Sequence, residues 1–310
     1  MDRIFRKFSA LCIVLAAVLW GIIGIFVRSL SAKGLGSAEI MLVRTAFATV
    51  GIFLYLALFD RDRLRVKIKD LWLFFGTGIV SFLTFGCAYF ATIEMTSVST
   101  AAVLLYTSPI FVTLMAAVFF GEKLTAVKLT ALAAAVAGCV LVSGGFGGEA
   151  VGIKGLLCGL LSGFCYGLYS IFGRVASKKY SAITVTAYTF LFATAGGLFV
   201  ADLPKTTAVV LGEPAIVPYL ILFALATAVV PYILYTGGLK YTPAGKAAVI
   251  ACAEPVVAAI IGTAVFGDKM TVGGILGTLL ILGAILILNK TIWRKTLKTN
   301  KIIHTVGKIT

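Results

Sequence analysis

The chain of 310 residues is 60 % apolar and 13 % charged, with a mean hydropathy of +1.08. Soluble domains run at about 45–50 % apolar and about 25 % charged, so a water-soluble fold is excluded and lipid must be the solvent for most of the chain. The net charge is +15, and the single histidine, His304, sits in a basic tail, which excludes histidine-based catalysis and histidine metal sites.

A membrane-spanning helix needs ~20 mostly apolar residues, and the apolar runs of this chain predict ten. Residues 1–8 form a basic N-terminal tail with Arg3, Arg6 and Lys7. The first run, 9–30, carries Trp20 and exceeds the ~7–15 apolar residues of a signal-peptide core, so it is read as a helix. The second, 37–59, holds Arg44 about two turns from its start, placed to grip a carboxylate bidentately or to pair with Glu39. The third, 71–92, contributes Tyr89. The fourth, 97–120, contributes Tyr106, Ser108 and Pro109. The fifth, 125–143, precedes a linker at 144–153.

The sixth run, 154–176, carries Gly155, Gly159, Gly163 and Gly167, a stripe that lets another helix approach closely. Tyr166 and Tyr169 run beside it. After 182–202, the eighth run, 215–237, holds Tyr232 and Tyr235. The ninth, 244–266, carries Lys246, Glu254 and Pro255, and 271–289 precedes a basic tail at 290–310. None of the six cysteines forms a CxxC pair, so they read as packing residues, and no metal or cofactor is expected. Gly245-Lys246 lacks the rest of a phosphate-binding loop, so ATP is not implied.

With the N-terminus in the cytoplasm, 21 Lys and Arg fall on inside segments and five (Arg28, Lys33, Lys154, Lys205, Lys269) on outside segments. That split obeys the positive-inside rule, places both termini in the cytoplasm of a cell-membrane protein, and makes anionic lipid rather than nucleic acid the partner of the positive charge.

A shift of 146 residues aligns the two halves. Trp20-Gly21 falls on Tyr166-Gly167, Arg28 on Arg174, Tyr89 on Tyr235, Ala101-Ala102-Val103 on Ala247-Ala248-Val249, and Pro109 on Pro255. Each half has five predicted helices, an odd number, so the second enters the bilayer inverted relative to the first. Inverted repeats around a central cavity are a transporter architecture.

Ser108-Pro109 leads to Phe120-Gly121-Glu122-Lys123-Leu124-Thr125, and Glu254-Pro255 leads to Phe266-Gly267-Asp268-Lys269-Met270-Thr271. On these paired segments the chain resembles the ten-helix, EamA-like branch of the drug/metabolite transporter superfamily. The resemblance covers about residues 9–289, with repeats at 9–143 and 154–289. It implies an all-α membrane fold around a central cavity and movement of amino acids, related metabolites or drugs, often outward. Asp268 stands where the family pattern more often has Glu, and Lys246 where a small or apolar residue is more usual.

Glu254 lies near the midpoint of its helix, where an acid costs on the order of 2.5–3.5 kcal/mol, so it must face a cavity or a partner. It binds a cationic group or a proton, or it accepts hydrogen bonds and braces the kink at Pro255. Pro255 frees the carbonyl of Ala251, and Pro109 that of Leu105; such carbonyls must face protein, water or solute. Lys246 stands eight residues before Glu254, so on a straight helix the two share one face about 12 Å apart. They could hold a zwitterion, unless the lysine snorkels to the interface.

The expected function is secondary transport of a small metabolite by alternating access, as an exporter with proton coupling, by a monomer or homodimer. An uncoupled carrier or uptake permease is the alternative. A membrane enzyme would need polar residues concentrated at one interface, which the sequence lacks.

Overall fold

The computed structural model describes residues 2–144, 152–267 and 271–288, and among these every regular element is helical. Most of the linker at 144–153, Asp268-Lys269-Met270 and the basic tail at 290–310 lie outside the described residues. Seven helices are long and apolar enough to cross a membrane: α1 (Arg3–Ala32), α2 (Ser37–Phe59), α3 (Ile68–Met95), α4 (Val98–Phe120), α6 (Ile153–Lys179), α8 (Pro214–Leu239) and α9 (Ala244–Phe266). Three more among the described residues are apolar but shorter: α5 (Ala126–Val142), α7 (Ala182–Gly197) and α10 (Val272–Leu288). A short amphipathic helix, Leu203–Gly212, links α7 to α8.

Local sequence sets the ends of these helices. Ser97, Thr125 and Ser181 each turn a side-chain oxygen back to the backbone N–H three residues on, at 3.1, 3.3 and 3.3 Å, and so start α4, α5 and α7. Gly121 (φ 63°) and Gly267 (φ 71°) end α4 and α9 in the left-handed conformation that a Cβ would strain.

The duplication seen in the sequence recurs in the backbone. α4 breaks after Leu105, at Tyr106, and α9 breaks after Ala251, at Cys252, positions 146 apart. α3 widens into a π-helix over Gly76–Leu83, and α8 over Leu225–Val229, which falls within the same stretch under the same shift. π segments interrupt the regular ladder and collect at functional sites.

The core combines alanines with fully buried aromatic and aliphatic side chains such as Phe190, Phe223, Leu56, Leu239 and Ile250, and large apolar residues such as Val50, Val118, Phe119, Leu157, Leu279 and Leu286 are exposed around the outside. Such a belt is untenable in water and natural against acyl chains. The glycine stripe of α6 packs on α4: a Cβ at Gly163 would lie 2.8 Å from the Leu104 carbonyl oxygen and 3.1 Å from that of Leu105, and one at Gly155 would lie 2.7 Å from Thr96. Gly159 faces the Leu104 side chain and Gly167 faces Val112 and Ser108. The Leu105 carbonyl that Pro109 cannot bond is thus covered by Gly163. α5 and α10 meet backbone to backbone, Gly138 against the Gly277 carbonyl and Gly277 against that of Gly138.

Candidate functional site

Four helices enclose a central aromatic cavity. α1 supplies Trp20; α3 supplies Ser81, Phe82 and Phe85; α6 supplies Tyr166, Tyr169 and Ser170; α8 supplies Tyr232 and Tyr235. The space left between these side chains is narrow: about 20 Å³ is wide enough for the centre of a water molecule. The rings brace one another. Trp20 lies 5.2 Å from both Tyr232 and Tyr235, and Tyr232 meets Tyr169 and Phe190 edge-on at 5.0 Å. Edge-to-face contacts of this kind add about 0.5–1.5 kcal/mol per pair beyond burial and fix ring orientation.

Hydroxyls tie the rings to polar neighbours. Tyr169 Oη shares a hydrogen with Thr236 Oγ1 at 2.7 Å, and Tyr235 Oη with Ser170 Oγ at 2.8 Å. Ser81 donates to the Cys165 carbonyl at 2.8 Å. The indole Nε1 of Trp20, although buried, has no hydrogen-bond partner among the described residues.

Two charges stand behind the lining of this cavity, each against one of its residues. Tyr166 donates its phenolic hydrogen to Glu254 Oε2 at 3.0 Å. Arg44 donates from Nη2 to the Thr227 carbonyl at 2.7 Å, and its guanidinium lies 5.5 Å from the Phe82 ring centre. The buried Nε of Arg44 has no partner among the described residues. Arg44 and Glu254 lie within electrostatic range of each other and of Tyr166 and Tyr232. A cation, an anion and two donors without partners therefore surround one aromatic hollow. That set can orient a solute carrying both a carboxylate and an ammonium group, or move a proton to and from the carboxyl.

Of the residues singled out in the sequence, Trp20, Tyr166, Tyr169, Tyr232 and Tyr235 converge on the cavity. Tyr89 and Tyr106 stand outside its lining but remain in the field of Glu254. Ser108 is buried against Gly167. Pro109 and Pro255 open the second segments of α4 and α9, just after the breaks. Arg44 does not pair with Glu39, whose Oε1 accepts the Asp202 N–H at 3.1 Å. Lys246 is buried in the first segment of α9, and the break at Cys252 separates it from Glu254, so the straight-helix geometry expected for that pair does not apply. Ser81, Phe82 and Phe85 were not singled out at all; the repeat gives one signal, since Ser81 matches Thr227, the residue whose carbonyl holds Arg44.

A second polar cluster closes the end of the bundle where α4 gives way to α5. Glu122 Oε2 accepts Lys128 Nζ at 2.7 Å, and Oε1 accepts the Ala244 N–H at the start of α9, also at 2.7 Å. Arg174 of α6 bonds the same Oε1 and stacks 4.9 Å from the Phe120 ring centre. Burial works against ionisation of Glu122, but the Lys128 ammonium, the Ala244 amide and Arg174 outweigh it and hold the carboxyl below the usual carboxylate range. The repeat reproduces the stack: Arg28 lies 4.0 Å from the Phe266 ring centre.

Comparison with known proteins agrees with this architecture. The EamA-like transporter family matches residues 7–144 and 153–290, one copy per half. An uncharacterized transporter of Archaeoglobus fulgidus is 28 % identical over 293 residues, covering 91 % of this chain and 96 % of its own length. The uncharacterized inner membrane transporter YicL of Salmonella typhimurium is 24 % identical, covering 89 % and 93 %. A protein known from a crystal structure superposes with a TM-score of 0.70 at 20 % identity, over 93 % of this chain and 99 % of its own, a likeness of fold. The two matched copies, the apolar helices and the relatives over nearly full length make one conclusion: the chain is a multi-pass membrane protein that belongs to the EamA-like transporter family.

Proposed function

We propose that this chain is a secondary transporter that exports small zwitterionic metabolites, amino acids or related amphipathic solutes, across the cytoplasmic membrane by alternating access. All ten apolar helices cross the bilayer, as two inverted five-helix units at about 9–143 and 154–289, with both termini in the cytoplasm. The observation that carries the reading is that Glu254, held by the lining residue Tyr166, and Arg44, beside the ring of the lining residue Phe82, both stand directly behind the aromatic lining of one cavity. In this reading Arg44 Nε and Trp20 Nε1 receive the solute's carboxylate, and Glu254 receives its ammonium group or a proton. The Glu122 cluster then closes the cytoplasmic side, and opening it requires α9 and α6 to part.

Purified protein in proteoliposomes tests this. A pH gradient is expected to drive accumulation of an amino-acid solute found by a thermal-shift screen, and Glu254→Gln is expected to abolish it. Full accumulation by Glu254→Gln, or transport indifferent to the gradient, favours the second reading, an uncoupled carrier. That reading draws on Glu254 being the one carboxylate beside the cavity and already engaged by Tyr166.

A further inference from the structure

The carbonyl that holds Arg44 is open for a reason written in the sequence. In a regular helix the carbonyl of Thr227 would accept the amide hydrogen four residues on. That residue is Pro231, which has no amide hydrogen to give. Val230, the last amide before the proline, is already taken by the Leu225 carbonyl. Thr227 is fully buried in the bundle, where a carbonyl without its regular partner must be met by another protein group, water or solute. The group that meets it is the guanidinium of Arg44, from Nη2 at 2.7 Å. The Thr227 side chain takes no part in this bond, because its Oγ1 turns back to the Phe223 carbonyl at 2.8 Å.

The proline is not what widens the helix. α3 forms its own π-helix over Gly76–Leu83, a stretch without proline. Under the 146-residue shift Thr227 falls on Ser81 and Pro231 on Phe85, which keeps its amide hydrogen. In that half the polar contact at this level comes from a side chain, the Ser81 hydroxyl on the Cys165 carbonyl. What Pro231 adds, and adds to one half alone, is a bare carbonyl. An arginine inside the membrane is costly without an acceptor, and this carbonyl supplies one while the buried Nε stays without a partner among the described residues.

We propose that Pro231 is a positioning residue for the solute site: by withholding an amide hydrogen it keeps the Thr227 carbonyl open for Arg44 and anchors the guanidinium behind Phe82, with Nε left for a solute carboxylate. The use of Arg44 by a carboxylate rests on the function proposed above, whereas the anchoring by Pro231 does not.

Phenylglyoxal modification of the purified full-length protein in dodecyl maltoside, followed arginine by arginine by mass spectrometry, tests this. Arg174, held in the Glu122 cluster, is the internal reference. In Pro231→Ala the new amide takes the Thr227 carbonyl, and Arg44 is expected to react at least about tenfold faster than in the wild type, the equivalent of one lost hydrogen bond to a charged group. Lactic acid placed at position 231, the ester analogue of alanine, again lacks an N–H and is expected to restore the wild-type rate although it has no proline ring. Pro231→Ser carries the same amide and keeps the test decisive should Pro231→Ala fail to fold. The proposal is overturned if Arg44 reacts in the amide-bearing variants as it does in the wild type, or if the ester variant reacts as fast as they do, which would assign the effect to the ring. Transport that proves indifferent to Glu254→Gln would not move these rates, so the two readings fail separately.

Discussion

Tyr166 donates its phenolic hydrogen to Glu254 Oε2 at 3.0 Å, so the first helix of the second half orients the one acid beside the central cavity. Hydrogen bonds to charged groups are worth about 1.5–3 kcal/mol, or roughly ten- to a hundredfold in an equilibrium. Tyr166→Phe keeps the ring against Phe85, from which it lies 5.2 Å. It is expected to lower apparent solute affinity at least tenfold in proteoliposomes while the melting temperature stays near that of the wild type. An unchanged KM would separate the carboxylate from solute handling.

Gly163 and Gly24 offer a matched pair of substitutions. A Cβ at Gly163 would sit 2.8 Å from the Leu104 carbonyl oxygen, whereas one at Gly24 meets nothing within 4 Å. Backbone cannot swing aside as a side chain can, so Gly163→Ala is expected to destabilise by about 1–3 kcal/mol. Gly24→Ala is expected to be neutral or to stabilise by up to about 1 kcal/mol through helix propensity. Thermal melts in detergent compare the two.

The Glu122 cluster makes stability pH-dependent. Its carboxyl ionises more readily in the fold than at its ordinary value of 4.5. The folded state therefore binds fewer protons than the unfolded one, and the stabilisation is complete above about pH 4.5 and lost as pH falls through the lower, folded value. Melting temperature is expected to drop over that acid window in the wild type. In Glu122→Gln the drop from this group should vanish, with lower stability at neutral pH because Lys128 and Arg174 lose their counter-charge. A wild-type acid slope retained in full by Glu122→Gln would assign it to other carboxylates.

The proposed inversion of the two halves would place repeat-related residues on opposite sides. In a cysteine-free background, Lys123→Cys is expected to react with a membrane-impermeant maleimide from the cytoplasmic side and Lys269→Cys from the other. Labelling of both from one side would remove the inversion and the alternating-access reading with it.

The halves and the helix positions are legible in the sequence because lipid forces long apolar runs and duplication leaves a constant 146-residue offset. Trp20 and Tyr166 follow from that offset, since related helices bring this related pair to one centre, whereas Tyr89, the counterpart of Tyr235, stands outside the lining. Phe82 and Phe85 do not follow from it, because a phenylalanine in a span reads as lipid-facing and the π-helix over Gly76–Leu83 shifts the register of the faces that regular periodicity would assign. The Lys246 and Glu254 geometry depended on an unbroken helix, and the break at Cys252 falls before the proline that announces a kink. The Glu122 cluster gathers side chains of α4, α5 and α6 around the first amide of α9, a backbone group that carries no sequence signal.

Where Gly138 and Gly277 cross, each would-be Cβ lands on the other residue's carbonyl, and the side chains of Ile281, Leu141 and Val142 close in around the crossing. Neither position leaves room for even a methyl group, so the last helices of the two halves are held at a spacing that only glycine permits, and any larger residue there would have to prise them apart.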